Sequence, residues 1–205
     1  MTVEKNADAP QRIGPWQKVS SRDVYQNPWI QIREDAVIRP DGNPGIYGVV
    51  KLLHWASGIV ALNEKQEIVL VGQHRYPLDY YSWEIPEGGC PKSGDNIQTM
   101  AADELRQETG LTAGKWNYLG CMALSNSVTD ELAHLYLARE LTQGSPDPDP
   151  TEVLELKWVT LDQACQQALS GEITESISIV ALLRAQDFLR QERSGKMIPD
   201  FRSIP

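Results

Sequence analysis

The sequence predicts a mixed-sheet α/β or α+β domain, because stretches with strand alternation are interspersed with stretches of helical periodicity. Residues 15–62 of the 205-residue chain have the pattern of short strands separated by turns, and helical patterns cover 95–110, 161–171 and 175–193. No internal repeat of 20–50 residues is visible, which excludes a solenoid or propeller. The length suits one globular domain with at most a small appendage.

The predicted strands are bounded by clusters of turn-forming residues. They cover residues 29–35, 46–55, 58–63, 67–76, 80–89, 116–124, 131–141 and 153–159. We expect 58–63 and 67–76 to form a hairpin, and 80–89 to be one strand that ends in a glycine pair. The pattern of 131–141 fits a strand or a helix. Residues 144–152 form a Pro/Asp loop that cannot hold regular structure.

Composition and charge exclude several classes of protein. Hydrophobic residues make up 41% of the chain, which is too many for a collagen-like, low-complexity or wholly disordered sequence. The net charge is −9 and the pI is near 4.8. An acidic surface repels phosphate groups, so we expect neither nucleic acid nor an anionic membrane as a partner. An anionic substrate would need a local group or ion that offsets the negative electrostatic potential of the protein.

Three cysteines, Cys90, Cys121 and Cys165, lie far apart and show no CxxC spacing. This pattern argues against a disulfide framework or a zinc cage and fits a reducing compartment. The first residues lack the basic-then-apolar pattern of a signal peptide. No apolar run approaches the roughly 20 residues that span a bilayer. We therefore expect a soluble, cytoplasmic protein.

The helix predicted at 95–110 places two carboxylates on its apolar side. Asp95 is the expected N-cap, Gln98 has the capping-box position and Gly110 ends the helix. At about 100° per residue, Glu104 and Glu108 lie one turn apart in the middle of the apolar stripe. The apolar members of that stripe are Ile97, Met100, Ala101 and Leu105.

Two adjacent buried carboxylates are unfavourable unless a cation compensates them. Glu108 also lies near the negative end of the helix dipole, which adds to the cost. A hard cation such as Mg²⁺ or Mn²⁺ suits a site made of carboxylates. The alternative is a glutamate pair at a solvated edge of the helix, with no metal.

The glycine pair Gly88-Gly89 follows a predicted strand and precedes the helix. Glycine lets the backbone approach a ligand or an ion closely, although a plain tight turn would also use it. The stretch Gly89–Gly94 is similar to the start of a phosphate-binding P-loop. Asp95 stands where that motif needs lysine, which excludes an ATPase of this class.

The segment PEGGCPKSGDNIQTMAADELRQETGL resembles the Nudix box, whose pattern is G-x5-E-x7-R-E-U-x-E-E-x-G-U, with U a bulky aliphatic residue. Its matching positions are Gly89, Glu104, Leu105, Glu108, Gly110 and Leu111. The resemblance implies that Glu104, Glu108 and the backbone carbonyl of Gly88 bind metal.

Three positions depart from the Nudix box. Asp95 replaces a glutamate but keeps the carboxylate. Asp103 replaces the arginine that orients the box glutamates, and Gln107 replaces the first glutamate of the paired acids. These two changes bear on how the glutamates are oriented and on how many ions the site holds.

Two further segments, IVLVGQHRYPLDYYSWEIPEGG and TEVLELKWVTLDQACQQALSGEI, resemble the ADP-ribose pyrophosphatase branch of the family. The resemblance covers residues 15–190 and implies a Nudix-type α/β/α sandwich with a mixed sheet plus an N-terminal β-rich extension. The implied organisation is a flexible tail (1–14), a β-rich segment for homodimerisation (15–55), a Nudix hydrolase domain (56–193) and a C-terminal tail (194–205).

The resemblance implies hydrolysis of a nucleoside diphosphate sugar, with ADP-ribose first among the candidates, and with Mg²⁺ or Mn²⁺ as cofactor. Glu108 and Glu104 are the implied catalytic residues, together with Glu152 in the Pro/Asp loop, which is otherwise a solvated acid. Arg75, Glu84 and Glu131 are the implied substrate-binding residues. Each of the three is alternatively a structural or surface group.

Other functions stay open at the level of sequence. Enzymes acting on ADP-ribose carry a proline about sixteen residues beyond the box, where this chain has Ser125-Asn126-Ser127, so another nucleoside diphosphate sugar is an alternative. Asp103 and Gln107 support a degenerate Nudix module that binds a nucleotide without efficient hydrolysis. A structural α/β domain without metal is the third reading.

Overall fold

A computed structural model describes residues 10–92, 96–151 and 153–196. The chain divides into two compact units: one contains the residues up to His54 together with Ala123–Glu131, and the other contains Trp55–Met122 and the residues from Leu132 onward. None of the three helices in the described part has the length and apolar character of a membrane-crossing segment.

The first unit is built on a four-stranded antiparallel sheet in the order β1-β2-β3-β4. Its strands are β1 (Gln11–Ile13), β2 (Trp16–Gln26), β3 (Ile30–Ile38) and β4 (Pro44–Leu52). A turn at residues 39–43 joins β3 to β4. Strand β1 lies at the end of the segment predicted as a tail, and residues 1–9 of that segment lie outside the described part.

The second unit contains two sheets and three helices. One sheet has the order β8-β5-β10-β9 and pairs β5 with β10 in parallel; the other, β11-β6-β7, is antiparallel. The strands are β5 (His54–Ala61), β6 (Glu67–Arg75), β7 (Tyr80–Glu84), β8 (Glu87–Pro91), β9 (Leu111–Ala123), β10 (Leu132–Gln143) and β11 (Glu155–Thr160). The helices are α1 (Ile97–Thr109), α2 (Leu161–Ser170) and α3 (Ser176–Arg193).

Alternation along β5 and β10 gives the sheet two apolar faces. Ile59 pairs with Tyr136, and both join Ala101 and Leu105 of α1 in one buried cluster. The next pair in register is Gly58 with Leu135, and a β-carbon on Gly58 would meet Ile177 of α3. Since α1 covers one face and α3 the other, the unit is the α/β/α sandwich that the family resemblance implies.

Two predictions about strands and one about a helix cap differ from the structure. Segments 58–63 and 67–76 do not form a hairpin, because β6 pairs with β11 and β7 in the other sheet; one bridge, Leu62 with Ile68, joins the two segments in the described part. The single strand predicted at 80–89 is interrupted at Ile85-Pro86. Proline cannot donate a ladder hydrogen bond, and here the chain leaves one sheet for the other.

The N-cap of α1 is Asn96 and not Asp95, which lies outside the described residues. The Asn96 side chain accepts a hydrogen bond from the backbone N–H of Gln98, at 2.9 Å. The ambiguous segment at 131–141 is the strand β10.

Candidate active site

Helix α1 places its two glutamates against the first two residues of β8, Glu87 and Gly88. Glu108 is only 4% exposed, and its Oε2 accepts a hydrogen bond of 3.2 Å from the backbone N–H of Glu87. Glu104, one turn earlier, is half-buried, whereas Asp103 is exposed. The burial pattern therefore confirms that the apolar stripe of the helix includes a carboxylate.

The side chain of Glu104 occupies the space that a side chain at position 88 would need. A β-carbon on Gly88 would overlap Cγ and Cδ of Glu104 and would lie 2.5 Å from its Oε1. The carbonyl oxygen of Gly88 accepts a hydrogen bond of 3.3 Å from the hydroxyl of the buried Ser57 on β5.

The C-terminal end of α1 is fixed by a second glycine. Gly110 has φ +74°, a left-handed conformation that glycine adopts without strain, and its N–H bonds to the carbonyl of Arg106. A β-carbon there would lie 2.7 Å from the carbonyl oxygen of Gly144. The Pro/Asp loop is also held at the helix end, because Asp147 N–H donates to the Gln107 carbonyl at 2.8 Å.

A cluster of charged side chains lies beside the glutamate pair. Arg75 on β6 forms an ion pair with the buried Glu84 through both Nε and Nη2, and its Nη2 lies 4.0 Å from Glu87. Burial opposes a charged Arg75, but Glu84 and the nearby Glu87 and Glu175 together raise its pKa. Arg75 therefore stays cationic and offsets the surrounding carboxylates.

Glu87 and Glu175 share a hydrogen bond between their carboxyl groups. Burial, followed by the charge of Glu175, raises the pKa of Glu87 well above its ordinary value. Burial alone would raise the pKa of Glu175 as well, but hydrogen bonds from Glu87 and from the N–H groups of Ile177 and Ser178 lower it. The surroundings therefore shift the pKa values of the two carboxyl groups in opposite directions, upward for Glu87 and downward for Glu175.

The donor set of the site fits a hard divalent cation. Gly88, Glu104 and Glu108 offer one carbonyl oxygen and two carboxylates, which are the ligands that Mg²⁺ and Mn²⁺ prefer. Gly88 has no side chain that would exclude Glu104 from the carbonyl. Within the described ranges, no group of three or more His, Cys, Asp or Glu side chains is arranged to hold a metal ion.

Two family models match the chain in succession. Residues 16–50 match the nucleoside diphosphate sugar hydrolase N-terminal domain, and residues 52–183 match the NUDIX domain. The chain belongs to the Nudix family. The segment that resembles the Nudix box lies within this domain, and its helical part is α1.

Comparison with individual proteins is consistent with this assignment to the Nudix family. The chain is 31% identical to an ADP-ribose pyrophosphatase of Mycobacterium tuberculosis over 82% of each chain. It is 28% identical to a methanol dehydrogenase activator of Bacillus methanolicus over 85% of this chain and 95% of that one. A solved structure of an ADP compounds hydrolase superposes with a TM-score of 0.78, over 89% of this chain and 98% of the other, at 16% identity, and so supports the Nudix fold.

The structure brings together some of the predicted site residues but not all of them. Gly88, Glu104 and Glu108 are brought together. Arg75 and Glu84 lie beside them but are paired with each other. Glu131 belongs to the other compact unit, and Glu152 lies outside the described residues.

Four residues that join this site to its surroundings have no role among the predictions from sequence: Ser57, Glu87, Glu175 and Ser178. The sequence context of Glu87 could have identified it as a candidate site residue, since it is an acid between a proline and the glycine pair. Glu175 could be read as the N-cap of α3, a position that favours a side-chain acceptor. Its proximity to Glu87 depends on the tertiary fold and has no local signature.

We expect replacement of Arg75 with methionine to lower the free energy of unfolding by roughly 3 kcal/mol, because it leaves Glu84 buried without its ion-pair partner. Urea unfolding would measure the change. Arg106→Met is the matched control: the Arg106 side chain is 42% exposed and 4.0 Å from an exposed Asp147, so the change should be below about 0.5 kcal/mol. Unchanged stability of Arg75→Met with a raised KM would instead assign Arg75 to the substrate.

Proposed function

We propose that the chain hydrolyses the diphosphate bond of a nucleoside diphosphate sugar, with ADP-ribose as the leading substrate. Water adds across the P–O–P linkage, and ADP-ribose yields AMP and ribose 5-phosphate. The observation that carries the proposal is the packing of Glu104 against Gly88, together with the hydrogen bond from the N–H of the preceding residue, Glu87, to Glu108, within a NUDIX domain. The ADP-ribose pyrophosphatase relative and the N-terminal family model support the substrate class.

The chemistry of the site follows from charge. The diphosphate is anionic, and so are the protein as a whole and the two box glutamates. Glu104, Glu108 and the Gly88 carbonyl would hold Mg²⁺ or Mn²⁺. Such an ion, when bound, supplies charge neutralisation at the phosphate oxygens and lowers the pKa of water.

The remaining residues take their proposed roles around these donors. Glu108 is held in place by the N–H of Glu87, and burial keeps bulk water away from it. Arg75 keeps a positive charge beside the site, where it would attract a phosphate; its exposed portion is 36% of the side chain. Glu84 holds Arg75, Glu152 is the candidate base for the attacking water, and Glu131 is a candidate substrate contact.

Purified protein incubated with ADP-ribose and Mg²⁺ should release AMP, detected by chromatography. The assay belongs in a panel of nucleoside diphosphate sugars with Mg²⁺ and with Mn²⁺, because Ser125-Asn126-Ser127 replaces the proline-containing marker. Faster release of a nucleoside monophosphate from another sugar would reassign the substrate. Product formation that persists in excess chelator would contradict the role of the metal.

A degenerate module that binds a nucleotide without efficient hydrolysis is the second candidate. The observation that favours it is Asp103, which is exposed on α1 where the box has an arginine that orients the glutamates. Binding of ADP-ribose without AMP over several hours would establish this function. Retention of Glu104 and Glu108 favours the enzyme.

We also propose that the N-terminal sheet mediates homodimerisation. The first unit exposes several large apolar side chains on its strands, which are Val19, Val24, Tyr25 and Ile46. Residues 16–50 match the separate N-terminal family model. Light scattering on the purified chain would show a dimer, and a monomer at micromolar concentration would contradict the proposal.

A further inference from the structure

We propose that Ser178 on α3 is a positioning residue for the oxygen donors of the metal site. The inference rests on the proposed function, because it assumes that Gly88 and Glu108 bind a divalent ion. Ser178 lies 90 residues beyond Gly88 in the chain and outside the Nudix box. Its side chain reaches the segment between β7 and β8 that leads into the glycine pair.

The hydroxyl of Ser178 uses both of its hydrogen-bonding capacities on this segment. It accepts a bond of 3.0 Å from the backbone N–H of Ile85 and donates one of 2.9 Å to Oε1 of Glu87. Ser178 is 0% exposed, so water does not compete for either bond. The residue between the two partners is Pro86, which has no N–H. One side chain therefore fixes the chain on both sides of the proline.

Ser178 is itself held firmly. Glu175, the N-cap of α3, accepts hydrogen bonds from the N–H groups of Ile177 at 2.8 Å and Ser178 at 2.6 Å. Ile177 packs where Gly58 on β5 has no side chain, since a β-carbon there would lie 2.5 Å from Ile177 Cγ2. The first turn of α3 thus packs against β5, and these contacts hold Ser178 in a fixed position.

The segment that Ser178 fixes carries contacts to the metal donors. The N–H of Glu87 donates to Oε2 of Glu108, and the next residue along the chain, Gly88, supplies the carbonyl donor. Loss of the Ser178 hydroxyl removes one hydrogen bond from the Glu87 side chain and leaves the Ile85 N–H buried without a partner. We expect both metal donors to lose their alignment. Residues that orient metal ligands typically change affinity or activity about 10–100-fold when they are replaced.

A purely structural serine would satisfy the same buried groups and affect only stability. The test therefore measures Mn²⁺ binding to the substrate-free protein by the electron paramagnetic resonance signal of free Mn²⁺. Ser178→Ala should raise the Kd for Mn²⁺ about tenfold and lower kcat for ADP-ribose. Ser178→Thr keeps the hydroxyl and should bind Mn²⁺ close to wild type. The matched control is Ser194→Ala, an exposed serine at the C-terminal end of the same helix, which should behave as wild type.

The outcomes separate this inference from the proposed function. A wild-type protein that binds no Mn²⁺ and releases no product refutes both. A wild type that binds Mn²⁺ and hydrolyses substrate, beside a Ser178→Ala variant with unchanged Mn²⁺ affinity, refutes the role of Ser178 alone. If Ser178→Ala does not fold, Ser178→Cys fills the same space with a weak hydrogen-bonding thiol, and its Mn²⁺ affinity decides the question in the same way.

Discussion

Replacement of Glu108 with glutamine is expected to lower kcat for the preferred substrate by about a hundredfold or more. The amide keeps the size of the side chain and can still accept the hydrogen bond from Glu87 N–H, but it removes the negative charge that would hold a divalent ion. A hundredfold change corresponds to about 2.7 kcal/mol of transition-state stabilisation. Steady-state kinetics over a range of Mg²⁺ concentrations would measure it.

Folding of the Glu108→Gln variant should be intact, since the side chain keeps its shape. Circular dichroism and urea unfolding would establish this. Asp103→Asn provides the matched control, because it makes the same chemical change at an exposed position of the same helix and should leave kcat within about twofold of wild type. Wild-type activity of Glu108→Gln would contradict the assignment of Glu108 as a metal ligand.

Replacement of Gly88 with alanine is expected to abolish divalent-ion binding with little loss of stability. The new β-carbon would occupy the space of Cγ and Cδ of Glu104, so the glutamate has to turn away from the Gly88 carbonyl. A half-buried, flexible side chain can move at small cost, and the backbone stays in place. We expect kcat to fall about a hundredfold while the free energy of unfolding changes by less than about 1 kcal/mol.

A double-mutant cycle with Glu104→Gln isolates this mechanism. If alanine at position 88 acts by displacing Glu104, the double variant should be no less active than Glu104→Gln alone. Additive losses of activity would show that the glycine has a separate role in catalysis. A large fall in stability of Gly88→Ala, by contrast, would mean that the backbone and not Glu104 gives way.

The pair of glutamates was predictable because helical periodicity is a local property. Positions 104 and 108 share a face of any α-helix, and the burial of Ala101 and Leu105 confirms which face is internal. The Gly110 helix stop was predictable for the same reason. The fold class followed from alternation and from the resemblance to a known family.

Features that depend on long-range pairing were not predictable. Alternation identifies β5 and β6 as strands, but it does not reveal that they enter different sheets. The ion pair of Arg75 with Glu84 and the contact of Glu87 with Glu175 bring together residues whose spacing in sequence carries no information about distance. Periodicity also cannot separate Asp95 from Asn96 as the cap, since both types of side chain accept the same hydrogen bond.

The two glycines at the ends of the box region differ in what surrounds them. The space next to Gly88 is filled by the side chain of Glu104, which can adopt another rotamer. The space next to Gly110 is filled by main-chain atoms of Gly144 and Pro146, which cannot move without displacing the backbone. An identical methyl group added at either place thus produces opposite defects. One yields a well-folded but inert protein, and the other forces apart a helix end and the loop docked on it.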